Sequence, residues 1–88
     1  LEPNNGTFQD TYAWILYKLQ QYDEALSWIM KALENGSRES PVVLEHYGDI
    51  LYRLNRKNEA FEKWEQAKAF GKSSELLEKK IREKKLYE

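Results

Sequence analysis

The 88-residue sequence contains no cysteine, and this excludes a disulfide, a thiolate nucleophile and any cysteine-based metal site. Only two prolines and four glycines are present, too few for a collagen-like or low-complexity chain. No apolar run approaches the length needed to cross a membrane. A strong net charge is also missing, because 14 basic side chains balance 15 acidic ones. The chain therefore has no overall field that would attract nucleic acid or an anionic membrane.

The residues that are present are typical of an ordered, helix-rich domain. Hydrophobic residues make up 41% of the chain, enough for a packed core, and charged residues make up 33%. A chain of this length forms one small domain with a thin core. We therefore expect a single all-α domain over residues 1–88.

Start and stop signals divide the chain into helices. A helix is predicted from near Thr7, because its hydroxyl can cap the helix and Asp10 follows three residues later. The predicted second helix runs from about Tyr22 to Glu34 and ends at Asn35-Gly36. Ser40-Pro41 predicts the start of a third helix, ending near Leu54, and Gly71 predicts the end of a fourth.

A fifth helix is predicted over residues 73–87. Ser73 or Ser74 would cap it, with Glu75 just inside. Leu77 and Ile81 belong to a narrow apolar stripe, and the pattern places the charged residues around that stripe in water. The charged residues are Lys79, Lys80, Arg82, Glu83, Lys84 and Lys85.

The four longer helices form an internal repeat with a period of 35 residues. Small residues align with small ones, as Ala13 does with Gly48 and Ala25 with Ala60. Large residues align with large ones as well, for example Leu16 with Leu51. Small residues permit close approach of two helices, so the period predicts two similar helical hairpins.

The repeated positions resemble the tetratricopeptide-repeat (TPR) family, an α-solenoid of helical hairpins. The second repeat, residues 40–71, carries its pattern at Leu44, Tyr47, Gly48, Leu51, Ala60, Trp64 and Ala67. The first, residues 7–36, carries it at Tyr12, Ala13, Leu16, Ala25, Ile29 and Ala32. Residues 1–6 resemble the exit of a preceding repeat, and 73–87 a capping helix. Departures from the pattern are Gln9, Lys57 and the absence of a closing proline in both repeats.

The resemblance implies that the chain forms the C-terminal repeats of a longer array from a bacterial protein. Such an array would bind another polypeptide and would not catalyse a reaction. The first helix of each hairpin would line a concave groove for a protein or peptide, basic or aromatic in character. Its expected contacts are Asp10, Trp14, Tyr17, Lys18, Glu45, Asp49, Tyr52 and Arg53. Tyr17 and Tyr52 have a structural alternative, packing between hairpins. No cofactor, metal, nucleic acid or membrane insertion is expected.

Other hypotheses compete with the groove. A metal or catalytic site could combine Glu45, His46 and Asp49, which lie on adjacent helical turns. The basic helix over residues 79–85 could contact nucleic acid. The face around Phe8, Tyr12 and Ile15 could mediate homo-oligomerisation, or the chain could be a structural end-cap of a larger repeat protein.

Overall fold

The computed structural model describes the backbone of residues 6–87 and the side chains of residues 8–87. This part of the chain is all-α, as predicted, and contains no strand. Its helices are α1 (Gly6–Lys18), α2 (Tyr22–Ala32), α3 (Pro41–Arg53), α4 (Lys57–Phe70) and α5 (Leu77–Glu83). The pairs α1–α2 and α3–α4 pack as two helical hairpins, α2 also contacts α3, and α5 packs on α4.

The boundaries of the first four helices lie close to the predicted ones. Ser40 caps α3, since its Oγ accepts a hydrogen bond from the Val43 backbone N–H at 3.4 Å. Gly71, with φ 147°, follows α4 where that helix was predicted to end. Gly36, with φ 108°, interrupts the helical turn Leu33–Ser37 that continues from α2. α1 begins at Gly6, one residue early. The side chain of Thr7, the predicted cap, and residues 1–5 of the exit segment lie outside the described residues.

The backbone conformation repeats every 35 residues, as the sequence does. Gln20 and Asn55, 35 positions apart, both adopt the left-handed conformation, with φ angles of 63° and 64°. Gln21 N–H donates to the carbonyl of Leu16 at 2.9 Å, and Arg56 N–H donates to the carbonyl of Leu51 at the same distance. Each hairpin therefore turns through the same hydrogen-bonded helix end.

Small residues allow the two helices of each hairpin to approach closely. A Cβ atom on Gly48 would lie 2.4 Å from two atoms of the Trp64 indole and 3.1 Å from the Ala60 carbonyl oxygen. One repeat earlier, the equivalent pair is Ala13 and Ile29, both fully buried. The larger Trp64 side chain is accommodated because its neighbour has no side chain at all.

The prediction for the fifth helix was wrong in three respects. α5 covers only Leu77–Glu83, and it ends because Lys84 turns left-handed with φ 52°. Ser73 and Ser74 do not cap it, because their hydroxyls donate to the buried Glu45 carboxylate. Lys80 lies inside the protein with 3% exposure instead of in water, since that same carboxylate requires a counter-charge.

Candidate functional site

A pocket of about 380 Å³ lies between α1, α3 and the C-terminal segment. Trp14 and Lys18 of α1 form one side, and Leu76 and Tyr87 line it from the segment that includes α5. Val42 lies at its exposed edge on α3. The pocket therefore joins the first helices of both hairpins.

A stack of three aromatic rings, two from α1 and one from α3, forms one wall of the pocket. Trp14 stacks on Tyr17 with ring centroids 4.6 Å apart, and on His46 of α3 with centroids 4.1 Å apart. His46 Nδ1 lies 2.8 Å from a carboxylate oxygen of Asp10, and this contact fixes the plane of the imidazole. Tyr17 is buried and is not among the residues that line the pocket, so the rings available to a ligand belong to Trp14 and His46.

Lys18 is the exposed cation of this wall. Its Nζ lies 5.1 Å from the Trp14 ring centroid, within the range of a cation–π contact. The side chain is exposed, so its ammonium group can turn toward a ligand without leaving a buried group unpaired.

Glu45 forms part of the pocket floor and is almost completely enclosed, with 3% exposure. Its Oε1 accepts hydrogen bonds from the Ser73 hydroxyl at 2.5 Å and the Ser74 backbone N–H at 3.0 Å. Its Oε2 accepts from the Ser74 hydroxyl at 2.5 Å and from Lys80 Nζ at 2.6 Å. Four donors thus hold both oxygens, and all four belong to the C-terminal segment.

Asp49 lies one helical turn further along α3 and is 2% exposed. Lys80 Nζ is 2.9 Å and 3.1 Å from its two carboxylate oxygens. The Trp64 Nε1–H donates to its Oδ1 at 3.1 Å, which links the pocket floor to the core of the second hairpin. We call Glu45, Asp49 and Lys80 the buried ion cluster.

The two carboxyl groups of this cluster differ in acidity. Burial would raise the pKa of Glu45, but the hydrogen bonds from Lys80, Ser73 and Ser74 outweigh it and lower the pKa to about 2. Burial raises the pKa of Asp49 to about 6, and the attraction of Lys80 offsets only part of that effect. Asp49 is therefore the group of the cluster that changes charge near neutral pH.

The structure brings together part of the predicted groove. Trp14, Lys18, Glu45 and Asp49 line the pocket, but the two acids face Lys80 and not solvent. Asp10 and Tyr17 support the wall from behind, through His46 and Trp14.

The other two predicted groove residues, like Asp10 and Tyr17, lie outside the pocket lining. Tyr52 stacks on Trp64 with a centroid separation of 5.7 Å, and this places it among hydrophobic residues of the second hairpin. Arg53 is exposed at the end of α3.

Sequence reasoning missed the contribution of the C-terminal segment to the pocket. Ser73, Ser74, Leu76, Lys80 and Tyr87 all line it, although the pattern assigned this segment to capping alone. One signal was present, because Lys80 follows Leu77 by three residues and precedes Ile81 by one. That spacing places Lys80 near the apolar stripe of α5 and not opposite it.

The alternative metal site does not form. Glu45 and Asp49 hold Lys80, while His46 contacts Asp10. Within residues 8–87, no three His, Asp or Glu side chains converge as metal ligands. Over the same part of the chain, no helix combines the length and apolar character required to span a membrane.

Comparisons with known proteins identify no family for this chain. No protein-family model matches the sequence, and searches of curated proteins and of solved structures gave no significant match.

Proposed function

We propose that this chain is a non-catalytic, TPR-like module that binds a segment of another polypeptide in the pocket between α1, α3 and the C-terminal segment. The ligand places an aromatic side chain against Trp14 and His46. The observation that carries the proposal is the Trp14–His46 wall, in which two stacked rings with centroids 4.1 Å apart line an open pocket of about 380 Å³. Clefts of this size with apolar walls and a few fixed polar groups are the usual sites of ligand recognition.

An aromatic side chain suits this wall for geometric reasons. The rings of Trp14 and His46 are nearly parallel, with 19° between their planes, so the ring of a ligand can continue the stack beyond His46 or meet the stacked rings edge-on. Asp10 holds the imidazole in place, and Tyr17 supports the indole from behind. The wall is therefore preorganised, and binding orders few side chains.

The charges of the pocket favour an acidic neighbour to that aromatic residue over a basic one. The expectation of a basic partner relied on Asp10, Glu45 and Asp49, but these acids already contact His46 or Lys80. Lys18 is the pocket cation that is exposed. A carboxylate beside the aromatic side chain would pair with Lys18 at the rim.

Binding also explains the polar groups of the pocket better than catalysis does. The Asp10–His46 pair has the geometry of an oriented base, but the His46 ring lies flat against Trp14. The pocket hydroxyls belong to Ser73, Ser74 and Tyr87. Both serine hydroxyls donate to Glu45, and the Tyr87 hydroxyl donates to Glu83. A nucleophile should lie within hydrogen-bond reach of its base, and these hydroxyls are engaged elsewhere.

The test is selection of random peptides displayed on phage against the immobilised chain, followed by binding isotherms with the enriched peptides. We expect the peptides to share an aromatic residue beside an acidic one. Trp14→Ala should weaken their binding at least about tenfold, as expected for an aromatic anchor.

Trp28→Ala is the matched control. Trp28 is a partly buried tryptophan on α2, where it meets Tyr12 edge-on and does not line the pocket. Folding of both variants is checked by circular dichroism. Enriched peptides whose affinity is unchanged by Trp14→Ala, or reduced equally by Trp28→Ala, would refute the proposed site.

A further inference from the structure

The outer face of α1 carries an exposed apolar stripe that is separate from the pocket. Tyr12, Ile15 and Leu19 recur at spacings of three and four residues and so share one side of the helix. Their exposures are 38%, 51% and 61%. Clustered apolar side chains of this kind mark an interaction surface more often than isolated ones do.

The internal repeat shows what covers the same stripe on the second hairpin. A shift of 35 residues places Tyr12, Ile15 and Leu19 onto Tyr47, Ile50 and Leu54 of α3. There, Ile50 is fully buried, and Tyr47 and Leu54 pack against the same hydrophobic cluster. This cluster includes residues of α2, and α2 contacts α3 directly. On α3, the stripe is covered by the second helix of the hairpin that comes before it.

The opposite end of the stack is closed. α4 is the repeat equivalent of α2, and its apolar face meets α5 instead of a further hairpin. Trp64 is fully buried there and Leu77 is 3% exposed, with Ile81 packed against the same cluster. The two ends therefore differ, since α5 covers one and the α1 stripe lies open at the other.

We propose that the α1 stripe is the docking surface for the second helix of a further helical hairpin that precedes α1. This helix is amphipathic, with apolar side chains at the spacing of Leu26, Ile29 and Leu33 in α2, and it lies along α1 as α2 lies along α3. A second copy of this chain is the less suitable occupant, because its own α2 is already packed between α1 and α3. The inference is independent of the pocket and of its proposed ligand.

The chain lacks cysteine, so a single introduced thiol reports directly on whether the stripe is covered. Ile15→Cys places the thiol on the stripe, and Ile50→Cys places it at the equivalent covered position. Each variant is also prepared in a tandem chain in which a second copy of residues 6–40 precedes Gly6 as the surrogate hairpin. The rate of alkylation by a maleimide is measured for all four proteins, and circular dichroism monitors folding.

In the original chain, the Ile15→Cys thiol should react rapidly and the Ile50→Cys thiol slowly. In the tandem chain, the rate for Ile15→Cys should fall at least about tenfold, because reaction would then require local opening. A tandem chain whose added copy carries Leu26→Glu and Leu33→Glu is the control and should restore the fast rate.

Two results would overturn the proposal. One is an unchanged Ile15→Cys rate in a tandem chain whose added hairpin is helical, which would mean that the stripe does not accept an α2-like helix. The other is protection of Ile15→Cys in the original chain that increases with protein concentration. In that case, the stripe pairs with a second copy instead of with a preceding hairpin.

Discussion

Replacing Lys80 by methionine tests how much the buried ion cluster contributes to the stability of the fold. The substitution keeps most of the aliphatic length of the side chain but removes the ammonium group that contacts both Glu45 and Asp49. Two carboxylates would then remain buried without a counter-charge. Breaking a buried ion pair in this way usually destabilises a protein by about 3–5 kcal/mol, so we expect a loss of about 4 kcal/mol at pH 7.

The loss should become smaller as the pH falls. Burial raises the pKa of Asp49 to about 6, so Asp49 is largely ionised at pH 7 and largely protonated at pH 5. At pH 5, the variant therefore loses mainly the bond between Lys80 and Glu45. A hydrogen bond to a charged group contributes about 1.5–3 kcal/mol, so we expect a loss of about 2 kcal/mol at that pH.

The assay is urea denaturation followed by circular dichroism at pH 7 and at pH 5. A domain of this size has a total stability of about 4–13 kcal/mol, so the variant could be partly unfolded at pH 7 and measurable only at pH 5. Lys79→Met is the matched control, because Lys79 is the exposed neighbour on the same helix. A combined Glu45→Gln, Asp49→Asn and Lys80→Met variant should recover much of the loss, since no buried charge remains. A loss below about 1 kcal/mol at pH 7, or equal losses at both pH values, would refute the reasoning.

Further predictions concern the same core and the hairpin turns. The pKa of Asp49, about 6 in the fold against an ordinary 3.8, means that the folded state holds this proton more tightly. The contribution of Asp49 to stability should therefore fall by about 2 kcal/mol from pH 4 to pH 6, and urea midpoints across this range should show that Asp49→Asn removes this contribution. Gly48→Ala should lower stability by about 1–3 kcal/mol in urea denaturation, because its Cβ would clash with Trp64 despite the better helix propensity of alanine. Gln20→Gly should raise the melting temperature, with a gain of about 0.5 kcal/mol, because its φ of 63° suits glycine. Asn55→Gly should raise it less, since asparagine tolerates that conformation better.

Much of the fold could be predicted from local sequence signals. Ser40, Gly36 and Gly71 mark helix ends through their own backbone chemistry, so they can be recognised without knowledge of the tertiary structure. The 35-residue period could be found because each hairpin requires small residues at the same contact points. Ala13 and Gly48 occupy one such point in the two hairpins.

The pocket could be predicted only in part, because its polar floor depends on contacts distant in the sequence. Glu45 and Lys80 are 35 residues apart, and no local pattern indicates which charges become buried together. Ser73 and Ser74 have the composition of a helix cap, but a buried carboxylate requires donors more strongly than an exposed helix end does. By contrast, Trp14 lies on the first helix of a hairpin, where the family resemblance places the groove, and it lines the pocket.

The indole N–H signals of the three tryptophans give the most direct test of the proposed binding site. In a ¹H–¹⁵N spectrum of the folded chain, titration with a selected peptide should shift the signal of Trp14, which lines the pocket. The signal of Trp28, outside the pocket, should remain in place, while Trp64 should respond at most weakly through Asp49. A shift confined to Trp28, or saturable binding that leaves Trp14 unchanged, would contradict the assignment of the pocket as the ligand site.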